Sequence, residues 1–323
     1  NENPYPPAPG VKKVLEEMEA DRLRKYPDPT ASILVKELAS YYGLNEDQVF
    51  VGVGSDDVLA MSFLTFFNSD KPVLFPDVTY SFYKVWADLF KVPFETPVLK
   101  EDFTIDVKDY EKENGGVIFP NPNAPTGVYM PLDQVEEILK ANQDVVVIVD
   151  EAYVDFAGPS ALELLDKYEN LLVVQTFSKS RSMAGMRIGF AMGHPDLIRA
   201  LNDVKYSYNS YTMNLPSLLA GVEAVKDKEY FEKTIEKIVA TREHAKKRLT
   251  ELGFTFPNSQ SNFIFASHKS VPAEKIFEAL KKEQIYVRYF KTPGLDNSLR
   301  ISIGTDEEMD TLFRFLEAYL PNA

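Results

Sequence analysis

Six short runs of β-forming residues, separated by stretches with helical spacing, constrain the fold of this chain more than any other feature. Most of the runs are continuously apolar, so both faces of the strands they form must be covered. Such strands, alternating with helices, are typical of a mostly parallel sheet with helices on both faces. The sequence therefore predicts an α/β fold. The runs cover residues 49–53, 73–75, 117–119, 145–149, 171–176 and 187–191.

The pattern changes after residue 200, where long helical stretches lead into short strands at 263–266, 286–289 and 299–303. This pattern predicts a smaller α+β unit. The 323 residues also exceed the length at which one core usually keeps growing. We predict a large ligand-binding domain over residues 27–208 and a second unit formed by residues 1–26 and 209–323.

The first ten residues contain four prolines, which predicts an extended arm without helix. Residues 11–25 have helical spacing, and so do residues 161–168. We expect the arm to pack against the smaller unit.

The charge balance and the lack of cysteine exclude several classes of function. With 35 basic and 49 acidic side chains the net charge is −14, which argues against nucleic acid as the main partner. Without cysteine there is no disulfide or thiolate metal site, and the three histidines show no zinc motif, so we expect no metal. The apolar runs are too short to span a bilayer. We expect small-molecule partners, no membrane association and a cytoplasmic location.

Polar residues that follow the apolar runs are the candidates for chemistry, because ligands of open α/β sheets bind beyond the carboxyl ends of the strands. Asp150 directly follows run 145–149. An unpaired charge there is costly, so a cationic partner is expected. That partner could be a protonated ring nitrogen, although a salt bridge or a helix cap is the commoner arrangement for a lone strand-end aspartate.

Lys179 follows run 171–176 and is a candidate Schiff-base former, because desolvation lowers the pKa of an amine. Taken alone, it is more often a solvated loop lysine. Arg187 follows small residues, which suits close approach to a phosphate. The stretch from Gly52 to Asp57 could bind an anion on free backbone N–H groups, or could be an ordinary helix start capped by Ser55.

Two further segments suit ligand contacts. Residues 121–127 form a rigid turn rich in proline and asparagine, which can hold an amide against a ligand. Tyr80 could stack on a planar ring, although a single tyrosine is more often part of the core.

Together these segments resemble the pyridoxal-phosphate-dependent aminotransferases of fold type I, class II. The two ends of the chain, Asn1-Glu-Asn-Pro-Tyr5 and Ser298-Leu-Arg-Ile-Ser-Ile-Gly-Thr305, are similar to the histidinol-phosphate aminotransferase family, as is the Arg24-Lys-Tyr-Pro-Asp-Pro29 run. The resemblance to the fold type I aminotransferases rests on Gly54-Ser-Asp, Tyr80, residues 121–127, Asp150-Glu-Ala-Tyr153, Ser178-Lys179 and Arg187.

The resemblance implies pyridoxal 5'-phosphate as cofactor, held by the large domain. Lys179 would form the Schiff base and move protons, Asp150 would pair with the pyridine nitrogen, and Tyr153 would bind the ring hydroxyl oxygen. Tyr80 would stack on the ring. The phosphate would lie on the backbone of Ser55 and Asp56 with Thr176, Ser178 and Arg187, and with Tyr26 of a neighbouring subunit. The contact from Tyr26 of a neighbouring subunit implies a homodimer with shared active sites.

One position departs from the family pattern. Many relatives carry asparagine directly before Pro-Thr-Gly, where this chain has Ala124. We predict that Asn123 makes the contact with the cofactor that this asparagine makes in the relatives.

The resemblance also implies the reaction. L-histidinol phosphate and 2-oxoglutarate would be interconverted with imidazole-acetol phosphate and L-glutamate. Arg300 and Arg288 would bind the substrate anions, and Tyr5 would close over the substrate. An aromatic-amino-acid aminotransferase and a threonine-phosphate decarboxylase of the same fold remain alternatives, and so does a non-catalytic protein that kept the fold.

Overall fold

A computed structural model describes all residues 1–323, and seven strands form its larger sheet. Their order is β1-β7-β6-β5-β4-β2-β3, and only β7 runs against the others. The prediction of a mostly parallel sheet is therefore confirmed. The strands are β1 (Val49–Gly52), β2 (Val73–Leu74), β3 (Phe94–Glu95), β4 (Gly116–Pro120), β5 (Val147–Asp150), β6 (Leu171–Thr176) and β7 (Gly189–Gly193).

Helices cover both faces of this sheet, as the apolar runs require. Val147 and Val149 of β5 belong to a core cluster of 33 residues, whereas Ile148 between them belongs to a cluster of 19 residues on the opposite face. The first cluster includes residues of α1 (Pro9–Glu17), α2 (Ser32–Tyr42), α5 (Leu132–Ala141) and α7 (Leu215–Lys226). The second includes residues of α3 (Ser55–Phe66), α4 (Phe82–Phe90) and α6 (Pro195–Tyr208).

A second, four-stranded antiparallel sheet lies in the C-terminal part of the chain. Its order is β10-β11-β9-β8, and a third cluster of 21 buried residues forms its core. The strands are β8 (Phe254–Thr255), β9 (Phe263–His268), β10 (Arg288–Tyr289) and β11 (Leu299–Ser302). The helices of this part are α8 (Lys228–Glu251), α9 (Ala273–Lys282) and α10 (Asp306–Tyr319).

The structure corrects three expectations about local structure. Helix α1 begins at Pro9, inside the predicted arm, because proline is tolerated in the first turn of a helix. It ends at Glu17 and is followed by a 3₁₀ turn (Ala20–Arg24) rather than continuing to residue 25. The helix predicted over 161–168 is only a 3₁₀ turn (Ala161–Leu164).

The N-terminal arm and α7 pack against the larger sheet, although the predicted division assigned both to the smaller unit. Ala8 and Val11 pack in the core of the large sheet together with Leu218 and Ala224 of α7. The small apolar side chains of α7 allow this packing, although the predicted boundary assigned α7 to the smaller unit. Tyr5 does pack against the core of the second sheet. The division into two domains stays a prediction.

None of the helices combines the length and the apolar character that crossing a membrane requires.

Candidate active site

A cavity of about 430 Å³ lies at the carboxyl ends of the central strands. Four of the predicted residues that line it lie at the end of β5 or just after β5 and β6, namely Asp150, Tyr153, Ser178 and Lys179. The other four come from the start of α3, the loop before α4 and the segment before β7, namely Ser55, Asp56, Tyr80 and Arg187. The sheet therefore brings eight of the predicted residues to one site.

Asp150 ends β5 with a buried carboxylate that forms no salt bridge. Its Oδ2 accepts a hydrogen bond from the Tyr83 hydroxyl at 2.7 Å, and its Oδ1 accepts one from the Ala152 N–H at 3.2 Å. Burial raises the pKa of Asp150 to about 6, and the nearby Asp56 carboxylate contributes to the rise. The salt bridge considered from the sequence is thus not formed, and the carboxylate faces a cavity in which a cation would stabilise it.

Lys179 is half-buried rather than a solvated loop lysine. Its Nζ lies 5.6 Å from the centroid of the Tyr153 ring and forms no ion pair with an acidic side chain. Burial lowers the pKa of Lys179, and the charges of Arg300 and Arg187 lower it further, whereas Asp56 and Glu2 oppose them. A lowered pKa increases the share of neutral amine, which is the nucleophilic and basic form.

The start of α3 and Arg187 form an anion-binding corner. No side chain caps this helix, so Ser55 is not its cap. Gly54 has a φ of +89°, and a Cβ added there would lie 2.5 Å from the Arg187 Nη2. A Cβ at Gly189 would lie 2.3 Å from the Ser55 nitrogen. The two glycines therefore let the guanidinium and the helix N-terminus approach each other, as a phosphate site requires.

Neighbouring side chains complete this corner. The Arg187 Nη1 lies 3.5 Å from the Ser178 Oγ and donates to the Ala184 carbonyl at 3.1 Å. The Thr176 hydroxyl does not line the cavity; it donates to the Ile188 carbonyl at 3.2 Å and lies 3.0 Å from the Ser178 Oγ. Thr176 therefore contacts the corner through Ser178.

Tyr80 is held at the cavity by a hydrogen bond from its hydroxyl to Asp56 at 2.9 Å. Burial raises the pKa of this tyrosine, and the Asp56 charge adds to the rise. The ring is therefore neutral and fixed, as a stacking residue requires.

The structure turns Asn123 away from the cavity. Its amide donates to the Val78 carbonyl at 2.9 Å and to the Thr126 hydroxyl at 3.1 Å, and its oxygen accepts from the Thr79 hydroxyl. Ala124 lines the cavity instead. The prediction that Asn123 replaces the usual asparagine finds no support in this geometry, because its amide is already bonded to Val78, Thr79 and Thr126.

Tyr26 and Tyr5 also lie outside the cavity. Tyr26 is 82% exposed, and its ring centroid lies 4.7 Å from that of Tyr211. An exposed side chain is what a contact with a neighbouring subunit requires. The centroid of the Tyr5 ring lies 5.3 Å from the Nζ of Lys237, which belongs to α8. The role of Tyr5 in closing over a substrate stays a prediction.

The two predicted substrate-binding arginines lie side by side. Arg288 of β10 pairs directly with Arg300 of β11, and the two guanidinium carbons lie 5.4 and 5.6 Å from the centroid of the Phe290 ring. Arg300 contacts the cavity through Asn1, because the Arg300 Nη2 donates a hydrogen bond to the Asn1 side-chain oxygen at 3.2 Å. The buried Nε of Arg300 has no hydrogen-bond partner. Like charges directly opposite each other are unfavourable unless an anion joins them.

Sequence reasoning missed two contributions to the site. Asn1 lines the cavity, and its side-chain nitrogen donates to the Tyr153 hydroxyl. Tyr83 holds Asp150 from outside the cavity. Only its place three residues after Tyr80, at the start of α4, could have suggested that its side chain lies near the site.

The residues present fit pyridoxal phosphate. The cavity offers an amine, a buried carboxylate without a cation, a fixed aromatic ring and a glycine-lined cationic corner. These are the groups that an aromatic aldehyde with a ring nitrogen and a phosphate requires. Such a site on a mostly parallel sheet defines the class of pyridoxal-phosphate-dependent enzymes.

The family model for aminotransferase class I and II matches residues 1–316, and the chain belongs to this family. The resemblance drawn from the motifs is thereby confirmed.

Individual relatives carry a more particular name. The chain is 51% identical to the histidinol-phosphate aminotransferase of Brachyspira hyodysenteriae, over 100% of this chain and 91% of that protein. The histidinol-phosphate aminotransferase structure from Clostridium acetobutylicum is similar with a TM-score of 0.92 at 24% identity, covering 100% of this chain and 98% of that one. The one from Sinorhizobium meliloti, in complex with pyridoxal-5'-phosphate, has a TM-score of 0.88 at 25% identity, covering 99% and 88%.

Proposed function

We propose that this chain is a transaminase that interconverts L-histidinol phosphate and 2-oxoglutarate with imidazole-acetol phosphate and L-glutamate, with pyridoxal phosphate as cofactor. The observation that carries the proposal is the single cavity that joins the Lys179 amine, the Asp150 carboxylate and the Arg187 corner. The relative at 51% identity over the full chain supports this choice of substrates.

The chain's own residues have distinct tasks in this proposal. Pyridoxal phosphate, when bound, supplies an aldehyde and a ring that withdraws electrons from the substrate carbon next to nitrogen. Lys179 holds the cofactor and carries the proton to and from that carbon with its Nζ, for which its lowered pKa suits it. Asp150 holds a proton on the ring nitrogen, and Tyr153 donates a hydrogen bond to the ring hydroxyl oxygen.

Two guanidinium groups support a site for two kinds of anion. Histidinol phosphate carries a phosphate monoester and no carboxylate beside its amine, whereas glutamate carries carboxylates. A planar guanidinium binds either anion through paired hydrogen bonds. We propose that Arg300 and Arg288 bind these anions in turn, because both face the Phe290 ring.

A substrate comparison tests the proposal. The purified protein, given 2-oxoglutarate, should convert histidinol phosphate far faster than phenylalanine. The reverse order would make it an aromatic-amino-acid aminotransferase, and carbon dioxide release from threonine phosphate would make it a decarboxylase. A protein that binds no pyridoxal phosphate at all would instead be a non-catalytic member of the fold.

We also propose a homodimer in which Tyr26 reaches the cofactor phosphate of the neighbouring subunit. Its 82% exposure and its place beside Tyr211 support this proposal. The partners are otherwise small molecules, without nucleic acid or membrane. A cytoplasmic location also stays a proposal, which cell fractionation tests.

A further inference from the structure

We propose that Tyr83 is a positioning residue for Asp150, which holds the carboxylate in the orientation and charge state that a protonated ring nitrogen requires. This inference rests on the proposed function, because it concerns the same site. Tyr83 does not line the cavity and acts only through Asp150.

Two hydrogen bonds fix the carboxylate, one on each oxygen. The Tyr83 hydroxyl donates to Oδ2 at 2.7 Å, and the Ala152 N–H donates to Oδ1 at 3.2 Å. The Ala152 contact is local, two residues along the chain. The Tyr83 contact crosses from the first turns of α4 to the end of β5, so it sets the direction of the carboxylate relative to the rest of the site.

The Tyr83 ring cannot move its hydroxyl away. It is fully buried and packs among aromatic rings, with centroid distances of 5.9 Å to Phe75, 6.2 Å to Trp86 and 6.4 Å to Phe63. It also meets the Tyr80 ring edge-on at 5.8 Å. One helix start thus places both the predicted stacking residue and the residue that orients Asp150.

The hydroxyl also favours the charged form of Asp150, because a hydrogen bond to a carboxylate stabilises its charge. Burial is the main cause that raises the pKa of Asp150, and Tyr83 opposes this rise more than Ala152 or Lys179 does. Asp56 of α3 works in the opposite direction. The remaining titratable neighbours are the hydroxyls of Tyr80 and Tyr153.

The test compares Tyr83→Phe with Tyr110→Phe. Each substitution removes one hydroxyl from a fully buried tyrosine, but the Tyr110 hydroxyl has no hydrogen-bond partner. The dissociation constant of pyridoxal phosphate is measured for each variant and for the wild type across a pH series. Affinity is used because it does not depend on turnover.

Loss of the hydrogen bond should raise the pKa of Asp150, so more of it is protonated at acidic pH. Between about pH 8.5 and about pH 5.5, the ratio of the Tyr83→Phe dissociation constant to the wild-type constant should grow about tenfold, which corresponds to one pKa unit. The Tyr110→Phe ratio should stay flat. A flat ratio for Tyr83→Phe would overturn the inference while the wild type still bound the cofactor, so the proposed function would stand.

A second variant links the effect to Asp150. In an Asp150→Asn background, Tyr83→Phe should change the affinity equally at all pH values, and a pH-dependent ratio there would overturn the inference. If Tyr83→Phe alone does not fold, the double variant decides. Recovery of a folded protein supports the link to the carboxylate, and failure to recover contradicts it.

Discussion

Asp150 is the residue whose environment most clearly indicates a bound ligand. It is buried at the end of β5, and this chain gives it two hydrogen-bond donors but no salt bridge. A ring nitrogen that carries a proton would supply the missing charge. Until it binds, the ionised carboxylate should destabilise the fold.

The destabilisation of the fold by the ionised Asp150 carboxylate depends on pH. Burial raises the pKa of Asp150 from 3.8 to about 6, so stability is greatest below the lower value and falls as the pH rises toward the higher one. We expect apo Asp150→Asn to be more stable than the apo wild type by on the order of 3 kcal/mol near pH 8, and by much less near pH 4. Denaturant unfolding measures this difference. An equal difference at both pH values would contradict the account.

Residue identity predicted part of the site and geometry decided the rest. Asp150 and Lys179 stand out because each follows an apolar run, and the structure places both on one cavity. Asn123 was chosen only as a substitute for the asparagine that many relatives carry, and its amide instead bonds to Val78, Thr79 and Thr126. Tyr83 did not stand out, because its partner lies 67 residues away and only the folded sheet brings them together.

At the scale of elements, the junction between helix α3 and the Arg187 segment carries the anion-binding corner. The apolar runs predicted the central strands, since β6 matches its predicted bounds, and β5 begins two residues later and ends one residue later than its predicted run. The two-residue strands β3 and β8 were not predicted, because each contains a single apolar residue, whereas β2, equally short, is apolar throughout.

The close approach at this junction predicts a strong effect of Gly54→Ala. The new Cβ would displace the Arg187 guanidinium, so pyridoxal phosphate should bind about tenfold more weakly, as expected for loss of a charge-assisted hydrogen bond. Gly43→Ala is the control, because Gly43 also has a positive φ, of +70°, but open space around its Cβ position. Cofactor titration of both variants gives the answer. Equal affinities in the two variants would remove the junction from the phosphate site.

At the scale of the whole molecule, the proposed homodimer makes each active site depend on two chains. The charge and periodicity of one chain cannot reveal such an interface, because they describe only what the chain does alone. The exposed Tyr26 ring beside Tyr211 is the feature of this chain that supports it.

Subunit mixing tests the shared site. Lys179→Ala and Tyr26→Ala should each lose most activity as separate homodimers. When they are unfolded together and refolded, half of the dimers are hybrids with one intact site of two, so about a quarter of wild-type activity should return. No recovery above the sum of the separate variants would mean that Tyr26 does not act across the interface.

The central claim is that Lys179 holds pyridoxal phosphate in the cavity that Asp150 lines. Borohydride reduction of the holoenzyme, followed by peptide mapping with mass spectrometry, tests it most directly, with Lys167→Ala as an exposed-lysine control. The cofactor should be found on the peptide that contains Lys179, in the wild type and in the control, and nowhere in Lys179→Ala. A label on another lysine, or a reducible linkage that survives in Lys179→Ala, would contradict the claim.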